Sequence, residues 1–282
     1  METHDISWMN LFLGYLMLII PVSILYWFQT GLVKQVIISV LRMTVQLFFV
    51  GLYLELIFNL NNMWINMAWV VIMIFIATFV TIQRSELNRK TFFIPVILSL
   101  LISIVIIDAY FIGLVVRTEY FFDARFFIPI SGMVIGNCME RNIIALNTYY
   151  RSITRESLMY KYYLANGATR QEALQPYIKE ALKASFNPLL ANMAVIGLIA
   201  LPGVMTGQIL GGSSPNVAIK YQIMLLMSIF IGTMITIIFT ILLGNRYIFD
   251  NMDNLKPDFK RVEKRKKYDN NVKRTQIKAT KK

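Results

Sequence analysis

Seven runs of mostly apolar residues divide the chain, each bounded by charged residues or by Asn and Gly clusters: Trp8 to Phe28, Gln35 to Ile57, Trp64 to Ile82, Phe92 to Val116, Phe126 to Thr148, Phe186 to Met205 and Tyr221 to Leu243. A bilayer core takes about 20 apolar residues per helix, and only helices or closed barrels satisfy the backbone there. The pattern predicts an all-α polytopic membrane protein with seven transmembrane helices. Polar residues and glycines interrupt the fifth and sixth runs. The first run follows METHDIS, acidic where a cleavable signal is basic, and is expected to stay in place as a span.

Two stretches fall outside this pattern. Residues 151–185 form a long connection in which Leu158, Tyr162 and Ala165, then Leu174, Ile178, Ala181 and Leu182, recur at helical spacing. Two short amphipathic helices are expected, joined by the elbow LANGAT. Asn166 and Gly167 suit the positive φ that ends a helix, and Thr169 with Glu172 three residues on forms a capping box that starts the next. Leu164, Asn166, Gly167, Ala168, Thr169 and Glu172 are thus the candidate elbow residues. The pair either lies flat beneath the bundle or presents its elbow to a partner. The last stretch, 246–282, is a low-hydrophobicity charge run expected to be disordered, which leaves 1–245 as the membrane domain.

Charge then orients the chain. The sequence has 28 Lys and Arg against 16 Asp and Glu, yet from Gly244 onward 13 are basic and 5 acidic, so most of the net +12 lies at one end. Nucleic acid is not an expected partner; anionic headgroups are. With the tail cytoplasmic and seven spans, the N-terminus lies outside. Inside segments then carry 23 basic residues and outside segments only Arg117, Arg125 and Lys220. Hydrophobic residues make up 56% of the chain and mean hydropathy is +0.56, placing it in the cell membrane.

Composition also narrows the chemistry. A single cysteine, Cys138, and a single histidine, His4, exclude Cys-based zinc sites and His-pair metal motifs, and no P-loop, HExxH or GxSxG string occurs. The chain is expected to be no enzyme and to hold no cofactor. Polar residues within apolar runs are functional candidates because a charge at a helix centre costs about 2.5 to 3.5 kcal/mol on insertion scales. Arg42 and Gln46 share one face of the second run; Asn137 and Glu140 lie in the fifth and Asn192 in the sixth. Glu140 and Arg141 are adjacent, about 100° apart on a helix, so one of them must face into the protein. Asp108 in the fourth run has no obvious local partner. Gly132 with Gly136, and Gly203, Gly207 and Gly211, stand four apart, a spacing that permits close helix packing. Pro202 and the Gly211–Gly212 pair equally permit a re-entrant or gate segment over 206–219. Most of the 16 methionines read as core filler, with Met133, Met139 and Met205 weak metal-ligand candidates.

RMTVQLFFVGLYL at Arg42 to Leu54, PISGMVIGNCM at Pro129 to Met139, the LANGAT elbow, and LPGVMTGQILGGSSPNVAIKYQI at Leu201 to Ile223 together resemble the FetB family of ABC transporter permeases. These are iron-export permeases, similar also to the permease half of a plant aluminium-tolerance transporter. The resemblance implies a homodimer of this chain and a separate cytosolic ATPase carrying ATP and Mg, docked through a coupling helix at the elbow. It also implies export of iron or a related metal complex. A passive channel or scaffold without an ATPase, or a permease for a small organic solute, remains the alternative from the residues alone.

Overall fold

The computed structural model describes residues 7–117, 119–250 and 252–256. The acidic METHDI and the basic run from 257 onward lie outside the described residues. What is described is helical: α1 (Trp8–Leu16), α2 (Ile19–Trp27), α3 (Val33–Leu60), α4 (Met63–Arg84), α5 (Arg89–Asp108) with a π-helical extension Ala109–Val116, α6 (Ala124–Arg155), α7 (Ser157–Ala165), α8 (Arg170–Val195), α9 (Gly203–Leu210) and α10 (Pro215–Ile248).

Short polar side chains set most of the starts. The side chains of Ser7, Asn62, Asn88, Asp123 and Thr169 each accept a backbone N–H in the first turn of α1, α4, α5, α6 and α8. Pro215 opens α10, where its missing N–H costs nothing.

The predicted runs fall on helix, the sixth only in part, and five helical stretches are long and apolar enough to cross a membrane: Trp8–Trp27, Val33–Leu60, Met63–Arg84, Arg89–Val116 and Pro215–Ile248. α6 and α8 are long but more polar. α6 carries Asn137, Glu140, Arg141 and Asn142 midway, and α8 begins among the charges of the connection.

The structure corrects the sixth run. It is not one helix: α8 ends at Val195, a corner follows in which Gly197 takes φ +85, and α9 begins after Pro202. Gly and Pro supply the bend, since one reaches positive φ freely and the other cannot donate to a continuing helix. Within the expected re-entrant stretch, residues up to Leu210 stay helical and Gly211–Ser214 form the turn, with Gly212 at φ +94. Eight residues of α9 span about 12 Å, too short to cross a bilayer, and α9 folds back against α10.

α5, α6 and α10 form the centre, with α4 laid on α5 and α6, and α8 on α6. α1 and α2 bury no residue and α3 buries only Ile57; their large apolar side chains, Trp8, Trp27 and Phe49 among them, face outward. Water gives no drive for helix association in lipid, so close contact and polar pairs hold the centre. Ser99 Oγ and Thr240 Oγ1 lie 2.6 Å apart, Asn142 Nδ2 donates to Thr240 Oγ1 at 3.1 Å, and Ser103 Oγ donates to the Gly232 carbonyl at 2.8 Å.

The glycines that allow this approach are not those the fourfold spacing singled out. A Cβ on Gly232 would meet Val134 Cγ1 at 3.1 Å, Ser103 Oγ at 3.2 Å and Cys138 Sγ at 3.3 Å, and one on Gly244 would meet the Tyr150 hydroxyl at 3.1 Å. Gly132 abuts only the Met73 side chain. Gly136, Gly203 and Gly207 meet nothing within 4 Å, and Gly211 meets only the carbonyls of its own turn. Their spacing does not bring helices together within one chain.

Candidate coupling elbow and intramembrane path

α7 ends in a complete Schellman motif. Gly167 takes φ +88, its N–H reaches the Leu164 carbonyl at 3.0 Å, and the Ala168 N–H reaches the Tyr163 carbonyl at 3.1 Å. Asn166, expected to share the positive φ, instead sits at φ −89 and donates Nδ2 to the Tyr162 carbonyl at 2.7 Å. The capping box forms as expected: Glu172 Oε2 accepts from the Thr169 N–H at 2.8 Å and from Thr169 Oγ1 at 2.7 Å. Those hydrogen bonds hold the Glu172 carboxyl below its ordinary value. The box therefore contributes its full stabilisation above the usual glutamate range and loses it as pH falls through the lowered value.

The second arm is not a short helix. It is the first half of α8, which runs as one helix from Arg170 to Val195 with Pro176 and Pro188 inside it, so the elbow and the first part of the sixth run share one helix about 39 Å long. The first arm also turns differently from expectation. Its buried side chain is Tyr160, while Leu158, Met159 and Tyr162 are 83%, 48% and 62% exposed beside the elbow. An apolar face therefore stands open next to a fixed turn.

A second difference concerns the start of the tail. α10 runs to Ile248, and residues 249–250 and 252–256 fold back in a hook beneath the elbow. Asp250 Oδ1 accepts the N–H groups of Met252 at 2.9 Å and Asn254 at 2.8 Å, and backbone hydrogen bonding, chiefly from Asn254, holds its carboxyl below the usual range. Arg170 pairs with Asp253 and lies over the Phe249 ring, its guanidinium carbon 5.5 Å from the ring centroid. The Tyr160 hydroxyl donates to the Asp253 carbonyl at 2.9 Å. Part of the predicted disordered tail is thus ordered, because Phe249 and Leu255 supply apolar anchors within the charge run. The Arg170–Asp253 pair is partly solvated, so Asp253→Asn is expected to cost about 0 to 1 kcal/mol, a small drop in the thermal midpoint of the purified protein. A drop of more than a few degrees would show that the hook holds the fold.

The path residues do not converge within one chain. Glu140 faces outward and Arg141 is buried, its Nε without a hydrogen-bond partner, which decides which of the adjacent pair points inward. Asn137 is half-buried and donates Nδ2 to the Met133 carbonyl one turn back at 2.9 Å. With Met133, Gly136 and Glu140 it forms an outward stripe on α6. Asn192 is exposed on α8, and Arg42 and Gln46 are exposed on α3, which barely touches the rest. Among the described residues no hydrogen bond or ion pair joins any two of the five. Met133 and Met139 lie six residues apart on α6, roughly 120° around the helix, and Met205 is on α9. Among the described residues no cluster of three His, Cys, Asp or Glu could hold a metal ion. Sequence reasoning left Asp108 without a partner; Ser131 Oγ donates to its Oδ2 at 2.7 Å from one turn above Ile135 on α6.

The model of the uncharacterised protein family UPF0014 matches residues 8–249, which takes in all ten helices and the elbow. The chain belongs to the UPF0014 family. A UPF0014 membrane protein from Synechocystis is 31% identical over 248 residues, 88% of this chain and 94% of that protein. The Arabidopsis protein ALUMINUM SENSITIVE 3 is 32% identical across 79% of this chain and 83% of its own length. The probable iron export permease protein FetB of Escherichia coli is 29% identical across 79% of this chain and 85% of its own. No solved structure matches. This UPF0014 chain is a multi-pass membrane protein related to permeases, as the FetB resemblance implied.

Proposed function

We propose that this UPF0014 protein is the permease subunit of an ABC exporter, working as a homodimer with two copies of a cytosolic ATPase that carries ATP and Mg. Seven spans, with α6 and α8 completing the five more apolar ones, put the N-terminus outside and the elbow in the cytosol. The observation that carries the reading is the elbow itself: a Schellman turn and capping box at the tip of α8, flanked by exposed Leu158, Met159 and Tyr162. A hydrophobic cleft on an ATPase would cover that face, and α8, one helix from the elbow to Val195, would carry its displacement into the bundle. The name of the Escherichia coli relative supports iron, or a related metal or metal complex, as cargo.

The face of α6 bearing Gly136, Asn137 and Glu140 is open within one chain, and two-fold symmetry would double it, so two stripes facing each other make a path neither has alone. Arg42, Gln46 and Asn192 belong to the same path only where the second protomer brings them near. The test is copurification: the chain should retain an ATPase subunit, and ATP turnover should rise with the transported metal. A chain that recovers no ATPase from its own host membrane would end the exporter reading. Asn137→Leu and Glu140→Gln should each abolish most cargo stimulation while sparing basal turnover, which reports docking. Full stimulation in both variants would remove the α6 stripe from the path.

A further inference from the structure

One buried acid has no part in the proposed cycle. Asp108 ends α5 and is 3% exposed; Oδ2 accepts from Ser131, but Oδ1 has no hydrogen-bond partner. It lines a cavity of about 320 Å³, within the size range of small-ligand sites. Apart from the carboxyl, the lining is apolar, with Phe121, Phe122 and Phe127 on one side and Met67, Val71 and Val105 on the other. Val71 and Val105 are 41% and 64% exposed, so the mouth opens between α4 and α5 toward the surface that lipid covers.

The aromatic wall is fixed. Buried Asn66 donates Nδ2 to the Phe122 carbonyl at 2.7 Å, and Asn61 Oδ1 accepts the Ala124 N–H at 2.9 Å. Directly after Asp108 the helix widens to π geometry over Ala109–Val116, an irregularity found often at functional sites.

The chemistry of this lining is selective. A divalent metal would need further hard ligands, and a single carboxyl among phenyl rings and a thioether does not supply them. A neutral apolar molecule would leave Oδ1 unpaired. A carboxylate in a lining with three phenylalanines matches one positive charge on an apolar body, since aromatic rings attract cations through their quadrupoles. The geometry points to a binding site for a lipophilic monovalent cation, a hydrophobic amine or quaternary ammonium, that enters from the bilayer between α4 and α5. The site is separate from the α6 stripe and stands whether or not the transport reading holds.

The probe is tritiated benzyltrimethylammonium, measured by equilibrium binding to the full chain in lipid nanodiscs, with empty nanodiscs subtracted. The wild type should bind it saturably, and its neutral isostere neopentylbenzene should displace it at least about tenfold less well, since the isostere lacks the charge. Asp108→Asn, which can still accept from Ser131, should weaken binding at least about tenfold. Val71→Trp should fill the mouth from an exposed position and remove binding with Asp108 in place. Absence of saturable wild-type binding, equal displacement by neopentylbenzene, or equal binding by Asp108→Asn would each overturn the proposal. The wild-type and Val71→Trp arms decide it even if Asp108→Asn does not fold.

Discussion

Gly167→Val is expected to lower ATPase recovery about 5- to 150-fold while the protein still inserts and remains monodisperse. The native φ of +88 costs a β-branched residue about 1–3 kcal/mol, and the two Schellman hydrogen bonds, to Leu164 and from Ala168, exist only in that geometry. Nothing lies within 4 Å of a Cβ at Gly167, so the effect is conformational and not a clash. Gly167→Asn is the matched control, because Asn enters the left-handed region at lower cost and should keep most of the capture. Pull-down of the ATPase by each tagged variant measures the series. Wild-type recovery by the valine variant would sever the elbow from docking.

The second large effect belongs to the bundle. Gly232→Leu is expected to leave little folded protein after mild heating, because its Cβ would already meet atoms of α5 and α6 at 3.1 to 3.3 Å from three directions. Overpacking a tight core costs about 1–3 kcal/mol even for small additions, and a leucine adds three more carbons beyond Cβ. Gly51→Leu, on outward-facing α3 where a Cβ meets nothing within 4 Å, should shift stability little. Heating followed by gel filtration compares the two. Equal survival would mean that α10 can move away from α5 and α6 at small cost.

The two variants also mark where sequence reasoning reached and where it stopped. Gly167 was legible because its signal is local: a glycine, then a Thr–Glu pair three residues apart, specify a turn through the backbone of a few neighbours. Gly232 and Gly244 carry no such signal. Each is one glycine in an apolar helix, and what makes it necessary is the side chains of Val134, Ser103 and Tyr150 on other helices. The regular spacing of Gly203, Gly207 and Gly211 drew attention for packing, yet packing depends on which face meets a neighbour. Spacing alone does not contain that. The break at Gly197 and the hook at Phe249 were missed for a related reason, since apolar composition or charge density averages over the few residues that turn or anchor the chain.

By itself the sequence determined the helical class, the place of the apolar runs, the helix cap at Thr169 and the turn at Gly167, because each follows from hydrophobic length or from hydrogen bonds within a few residues. Only the tertiary structure decided that Arg141 faces in and Glu140 out, that α8 carries the elbow and the first part of the sixth run on one helix, that the hook ties back to Arg170, and that Asp108 meets Ser131 beside an open cavity. Those outcomes depend on which helix faces which, and in a bundle without a hydrophobic drive between helices that choice rests on glycine-sized gaps and single hydrogen bonds between residues far apart in the chain.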